Sequence, residues 1–341
     1  MKDQLQIFKK EKSLKETISF SDWQVLGHKT QIEYLKSNIS KDDLAHAYLF
    51  SGEENIGKRK VALSFIKTLL CKSDLRFCGK CSSCLQIERK THPDVFIIDG
   101  KSAIKIEKVR ELVSRMSLKP FSSSHKIAVI DNAERLTKEA ANALLKTLEE
   151  PSGKAILILI TKNHSLLLPT IVSRLRVLKF FKVPQKLIEE LSEKQDISSF
   201  EKVLLSKFAM GKPGIVFKIL KNPEELKEIE AWLYEFKVIL EKDRVKNLNY
   251  SGKLAKAYET NPVKVIEILN FWIVLLRDLI NSYFLPEFKS LVSYNFKNSK
   301  IGKISKIIND INRTKEIISN PNSGFNVKLV LDLIVLKLEE L

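Results

Sequence analysis

Five short apolar stretches, each bounded by polar or turn-forming residues, punctuate the first half of the chain: Ala47–Ser51 (AYLFS), Val95–Ile98, Lys126–Ile130 (KIAVI), Ala155–Ile160 (AILILI) and Val177–Phe181. Each reads as apolar along its length, the pattern of a strand buried on both faces. Between them the apolar positions return at helical spacing. Val61, Leu63, Ile66 and Leu69–Leu70 follow the first stretch, Ile104 to Leu118 the second, and Ala141, Leu144, Leu145 and Leu148 the third. Thr137 is placed to cap that last helix, and Pro151 with Gly153 stops it. A short helix over Pro169–Arg174 precedes the fifth strand. Strands alternating with helices predict a parallel α/β sheet covered on both faces.

Past residue 183 the strand pattern ends. Residues 185–222 read as a small helical unit with a break at Gly211-Lys212-Pro213-Gly214, and residues 223–341 as a helical bundle broken near Pro262, Pro286 and Pro321. Residues 1–20 read as a loose, charged leader with no apolar core, so no secretory signal is expected there. The longest apolar runs, such as Phe271–Leu276, fall far short of the about 18 residues a membrane span needs. These features lead us to expect a soluble, cytoplasmic protein without internal repeats, and 341 residues suffice for two or three domains.

Composition changes this picture little: 44% hydrophobic and 29% charged residues are ordinary for a globular chain. Charge adds more. Lys and Arg number 58 against 41 Asp and Glu, a formal net charge of +17. That excess favours a polyanionic partner, nucleic acid first. The lysines are spread along the chain with no basic tail, so solvated faces of a Lys-rich protein account for them equally well.

All four cysteines fall within fourteen residues: Cys71, Cys78, Cys81 and Cys84, a C-x6-C-x2-C-x2-C pattern. Thiolates two residues apart on a tight turn can converge on one tetrahedral zinc ion, and reduced intracellular chains rarely pair cysteines as disulfides. Gly79 suits such a knuckle, and Lys72, Arg76 and Lys80 would offset the negative charge of a tetrathiolate centre. With no free coordination position, the cluster reads as structural zinc, one ion per chain.

Strand, glycine-bounded loop and helix is also the setting of a phosphate-binding loop. Gly52–Arg59 (GEENIGKR) keeps Gly52, Gly57 and Lys58 of the G-x-x-x-x-G-K-[ST] pattern, with Lys58 placed to meet β- and γ-phosphates. The next position should offer a hydroxyl to magnesium. It is Arg59, a bulky cation where the metal would sit. Asp131 matches the strand-end aspartate of a Walker B motif. Asn132 follows it where an active hydrolase carries a water-activating glutamate, and an amide takes up no proton. Glu134 would point elsewhere. The sequence thus predicts no ATP turnover by this chain alone, with ATP and magnesium bound weakly or not at all.

His46–Phe50 (HAYLF), the phosphate loop, the four cysteines, Ala140–Pro151 (AANALLKTLEEP) and Leu168–Arg174 (LPTIVSR) occur in this order. In these features the chain resembles the delta-prime subunits of bacterial DNA polymerase III clamp loaders, members of the AAA+ family. The resemblance covers about residues 23–182 and continues weakly through Gly211–Gly214 and Asn326–Asp332. It implies an AAA+ P-loop domain over 1–182 with a zinc module inserted at about 71–84, a small helical lid over 183–222 and an all-α collar over 223–341 that oligomerises. It also implies that Cys71, Cys78, Cys81 and Cys84 hold the zinc, that Thr161 stands at the sensor 1 position, and that Arg174 is an arginine finger. A guanidinium can stabilise charge on a γ-phosphate in trans while its own subunit is inert. Gly214–Ile215 lacks the sensor 2 arginine of active relatives, a third defect, and Leu175 replaces the usual cysteine after Ser-Arg. The implied partners are gamma/tau-type motor subunits and a delta subunit in a heteropentamer, the sliding clamp and primer-template DNA. The chain would then work at replication forks as part of a nucleotidyltransferase holoenzyme, with no membrane. The alternative is an active motor-type ATPase, against which Arg59, Asn132 and Ile215 argue.

Single residues get plainer expectations. His46 reads as a packed or hydrogen-bonded strand-edge residue, His92 and His125 as solvated turn residues, and Trp23, Trp232 and Trp272 as core. Lys146 lies opposite the leucine stripe of its helix and is a candidate phosphate contact to DNA.

Overall fold

The computed structural model describes residues 23–73, 77–100, 102–151, 153–285, 290–292, 300–319 and 325–341. The charged leader, Arg76, Pro286 and Pro321 lie outside them. The chain forms two compact units. The first takes the described residues through Lys194 together with Gly211–Val216, and the second takes Gln195–Met210 and the described residues from Phe217 to Leu341.

In the first unit, strands β1 (Ala47–Ser51), β2 (Val95–Asp99), β3 (Lys126–Asp131), β4 (Ala155–Thr161) and β5 (Arg176–Lys179) make one sheet in the order β2-β3-β4-β1-β5. Every pairing is parallel. Helices α1 (Lys29–Lys41), α2 (Lys58–Leu70), α3 (Ser82–Glu88), α4 (Ile106–Ser117), α5 (Lys138–Glu149), α6 (Pro169–Val172) and α7 (Gln185–Glu193) accompany it.

Alternation along the strands sorts the apolar residues onto two faces. Ala47, Leu49, Ala128, Ile130, Leu157 and Leu159 turn toward α4 and α5, whose Val109, Leu112, Leu144 and Leu148 they bury. Tyr48, Phe50, Ile127, Val129, Ile156 and Ile158 turn the other way, onto Ile32 and Leu35 of α1 and Val61, Phe65 and Ile66 of α2. That is why the central strands are apolar at every position. The edge strand β5 is only half-buried, and it stops at Lys179 instead of Phe181. Among the described residues its sheet neighbour is β1 alone, whose last carbonyl, on Ser51, accepts the Phe180 amide at 2.7 Å. Phe181 has nothing to pair with and is exposed.

The second unit is helical. It holds α8 (Ser199–Ala209), the end of α9 (Pro213–Lys221), α10 (Pro223–Leu240), α11 (Arg244–Thr260), α12 (Pro262–Phe284), α13 (Ile301–Ser319) and α14 (Val327–Glu339). Pro262 is the first residue of α12, where a missing amide hydrogen costs no bond, and the Asn261 side chain caps that helix by accepting from Lys264. Trp272 is fully buried there, with the rings of Phe236 and Tyr250 at 6.2 and 6.3 Å. Trp23 is buried in the first unit, and Trp232 is half-buried against Phe208. Among the described residues no helix is long and apolar enough to cross a membrane.

Candidate functional site

The C-terminal ends of β1 through β4 gather the nucleotide-loop residues. Gly52 leaves β1 so close to β5 that a Cβ there would lie 2.3 Å from the Phe180 carbonyl oxygen. Gly57 has φ 108°, a left-handed conformation that favours glycine, and opens α2. Lys58 is the first residue of α2 and almost fully buried. Its ammonium group donates to the loop's own carbonyls, Glu53 at 2.5 Å and Gly52. Burial holds its pKa below the ordinary lysine value, although the carboxylates of Asp131, Glu54, Glu134 and Glu53 oppose that shift.

The neighbouring side chain decides the character of the site. In the β2–β3 register Asp99 stands opposite Asp131, and both strand-end carboxylates reach Arg59. Arg59 Nη1 donates to Asp131 Oδ2 at 2.9 Å and lies 2.6 Å from Asp99 Oδ1, while Lys90 pairs with Asp99 Oδ2 at 2.7 Å. Burial raises the pKa of Asp131, and the Arg59 charge only partly offsets this. Asp99 is held below its usual range: burial pushes it up, but Lys90 and Arg59 outweigh burial. A tethered guanidinium therefore fills the space between the aspartates where a divalent cation would be chelated. Sequence reasoning saw the wrong residue at position 59 but not its second partner. The available signal was that Asp99 ends β2 as Asp131 ends β3.

Asn132, at φ 54°, turns its amide onto the Gly100 carbonyl at 3.2 Å. Glu134 differs from expectation. The 3-10 turn Ala133–Arg135 brings it back to accept from the Thr161 hydroxyl at 2.8 Å, so it faces the loop instead of pointing away. Thr161, buried at the end of β4, also reaches the Asn163 carbonyl at 3.1 Å and accepts the Asn163 amide at 3.3 Å. On the other flank, the Gly214 amide donates to the Asn55 carbonyl at 2.8 Å. A Cβ on Gly214 would come within 2.6 Å of that oxygen. Lys212 and Lys182 pair with Glu53 at 2.7 and 3.3 Å, outweighing the effect of burial and lowering its pKa. Lys182, Lys212 and Gly214 thus lie directly on the loop.

Arg174 follows the one-turn helix α6. Its guanidinium donates to Glu149 Oε1 at 2.6 Å, to the Thr170 carbonyl at 2.9 Å and to Ser173 Oγ at 3.4 Å, and it stays about one-third exposed. Glu149 is the last residue of α5, whose N-terminus Thr137 caps by accepting the Ala140 amide. Ala140, Ala141, Leu144 and Leu148 form the buried face of α5, and Lys146 lies on the solvent side. Leu175 is buried.

The cysteines converge. Cys71 ends α2, Cys78 and Cys81 flank the turn at Gly79 (φ 66°), and Cys84 sits in α3. Their four Sγ atoms all lie within 4.8 Å of one another. Amide hydrogens aim at the sulfurs: Cys78 at Cys71, Lys80 and Cys81 at Cys78, and Cys84 at Cys81, over 3.3–3.5 Å. Against the push of burial, such donors bring the Cys81 thiol down to about 6 and lower Cys71, while burial raises Cys84. Four soft sulfur donors within 4.8 Å of one another, with amide donors on the sulfurs, suit a closed metal site of the zinc kind.

Among the histidines, His92 is not the solvated turn residue expected. It is buried, its Nδ1 accepts the Asp94 amide at 3.1 Å, and its Nε2 lies 3.0 Å from Ser83 Oγ. His125 is half-buried beside Ser124, and His46 is exposed with its carbonyl accepting the Leu157 amide at 2.9 Å.

This geometry can be set beside known proteins. Residues 27–184 match the family described as "DNA polymerase III, delta subunit". A DNA polymerase III subunit delta' from Bacillus subtilis is 38% identical over 49% of this chain and 51% of its own length. One from Pseudomonas aeruginosa is 42% identical over 38% of this chain and 41% of its own length. Across residues 27–184 this chain is similar to DNA polymerase III delta-prime subunits. The delta-prime match carries the whole sheet, the loop, the cysteines and Arg174. The chain spans about half the length of the delta-prime relatives it matches. A gamma subunit from Buchnera aphidicola subsp. Schizaphis graminum is 28% identical over 93% of this chain and 89% of its own length.

Proposed function

We propose that this chain is a clamp-loader subunit of DNA polymerase III that does not hydrolyse ATP itself and lends Arg174 to the nucleotide of a neighbouring ATPase subunit. The observation that carries the proposal is Arg59 bridging Asp131 and Asp99. Hydrolysis in this class needs a divalent cation between the aspartate and the phosphates, and a base for the attacking water. Here a fixed cation holds the aspartates, and Asn132 stands in the base's place. Glu134 is a carboxylate near Lys58 whose Oε2 accepts from the Thr161 hydroxyl, and it stands two residues past the base's position.

Arg174 supports the donor role by its exposure and by its contacts, which keep the guanidinium outside the chain's own loop. Glu149 and the Thr170 carbonyl preset its orientation, so little rotamer entropy remains to be lost when a γ-phosphate competes for it. In this reading residues 183–222 are the lid, 223–341 the oligomerising collar, and zinc on Cys71, Cys78, Cys81 and Cys84 braces the α2–α3 junction. Motor subunits, a delta subunit, the sliding clamp and primed DNA are the partners, with Lys146 available to a DNA phosphate.

The similarity to gamma subunits favours one second reading, a motor-type ATPase. Both are decided by ATP hydrolysis of a loader reconstituted with motor and delta subunits, clamp and primed DNA. Wild type should raise turnover, and Arg174→Ala should assemble yet lose roughly 10³-fold or more of the step it serves. Equal stimulation by both would reduce Arg174 to a structural ion pair. Sustained turnover by the isolated chain with magnesium would establish the motor reading instead.

A further inference from the structure

Far from the nucleotide loop, at the N-terminal ends of β2 and β3, a buried carboxylate organises a surface loop. The Asp94 side chain is fully buried. It accepts the amides of Phe121 at 2.7 Å and Ser122 at 2.8 Å and the hydroxyls of Ser123 at 2.9 Å and Ser122 at 3.3 Å. Its own amide is fixed on His92, which Ser83 of α3 holds from behind. A buried carboxylate is costly unless fully hydrogen-bonded, and every side-chain bond of this one goes to residues 121–123. Yet the loop covers no core: Phe121 is 85% exposed and Leu118, just after α4, is 61% exposed.

A loop without core contacts is ordinarily free to fluctuate. This one has its backbone pinned at two successive residues and the side chain of a third, and displays an aromatic ring to solvent. An aromatic side chain on a fixed backbone loses little entropy when a partner buries it, which is what an interface anchor requires. Beside it runs a groove of about 120 Å³, lined by Met116, Leu118 and Pro120 and by Lys119, Lys126 and Lys154. Lys126 faces Asp94 at 3.8 Å, but among the described residues no ion pair engages Lys119 or Lys154. The half-buried His125 lies near Lys154 and adds no negative charge. The patch is apolar at its centre and positive at its rim.

We propose that the 118–123 loop is a docking element for an acidic protein surface, with Phe121 entering an apolar cleft and Lys119 and Lys154 meeting carboxylates at the cleft's rim. A protein is favoured over nucleic acid because Phe121 is a lone ring among aliphatic Met116, Leu118 and Pro120, with no second aromatic to stack successive bases, and Lys119 and Lys154 make few phosphate contacts. The patch sits at the opposite end of the strands from Gly52, Asp131 and Thr161, so a partner docked there leaves the nucleotide loop open.

The choice of probes rests on the clamp-loader reading. The full chain is titrated separately with purified sliding clamp, motor subunit and delta subunit, as wild type, as Phe121→Ser, and as the pair Lys119→Glu, Lys154→Glu. All three positions are exposed, so thermal midpoints should match wild type. One partner should bind wild type and lose roughly tenfold or more in affinity with each variant, while the others are unaffected. If every partner that binds wild type binds both variants equally well, the docking element is refuted and the loader reading stands. If wild type binds none of the three, both fall. If the variants instead lose salt-steep binding to fluorescent primer-template DNA, the ligand is nucleic acid and the protein-docking proposal is overturned.

Discussion

Arg59 and Asp94 are charged groups that reach carboxyl or amide partners far away in sequence, and each yields a test. Without its guanidinium, Arg59→Thr would leave Asp99 and Asp131 facing each other, with Lys90 on Asp99 and the Lys58 charge near Asp131. Arg59 is partly solvated, so the expected loss is on the order of 1 kcal/mol. The vacated space would then suit a divalent cation, and threonine restores a hydroxyl ligand. Thermal melts should show magnesium raising the midpoint of Arg59→Thr and not of wild type. Indifference of the variant to magnesium would mean that Arg59 does not stand in for a metal. Asp94 has the opposite sign to Asp131. Burial pushes its carboxyl up, but the amides of Phe121 and Ser122, the Ser123 hydroxyl and Lys126 hold it below the usual range. Its stabilisation is complete above the unfolded value near 3.9 and is lost as pH falls through the lower folded value. Asp94→Asn should therefore cost roughly 2–3 kcal/mol near neutral pH, with the gap to wild type closing below about pH 4 in denaturant titrations.

Among the elements, α3 is the one a metal would hold. It is seven residues long and starts at Cys81, whose sulfur accepts the Cys84 amide at its first turn. Isolated helices of this length do not persist in water. Protein prepared without chelator should carry close to one zinc per chain by elemental analysis. Stripping it should cost helical circular dichroism while the sheet survives. Release should come more easily as pH falls, because the thiolates must take up protons. Zinc far below one per chain would refute a structural metal. The elements themselves were legible where local rules acted alone. Strands buried on both faces read as apolar runs, Thr137 announced α5, and the cysteine spacing announced the knuckle. What escaped was set by distant partners: the end of β5 depends on where β1 stops, and Glu134 turns inward because Thr161 waits at the end of another strand.

Over the whole molecule, the same division holds. The matched family segment and its loop, cysteines and Arg174 could be found from sequence order, since each motif is contiguous. Asp99 beside Arg59 and the pinned loop around Asp94 could not, since sheet register and burial bring them together across 27 to 40 residues, and nothing local announced the burial of His92. One consequence of the Arg59 bridge concerns time more than structure. A magnesium ion arrives and leaves with its nucleotide, and a site that uses one reports the fuel state of its surroundings. A cation tied to the backbone has no off-rate. Its occupancy does not follow ATP, ADP or free magnesium, so this end of the sheet carries the same cation whatever nucleotide surrounds it.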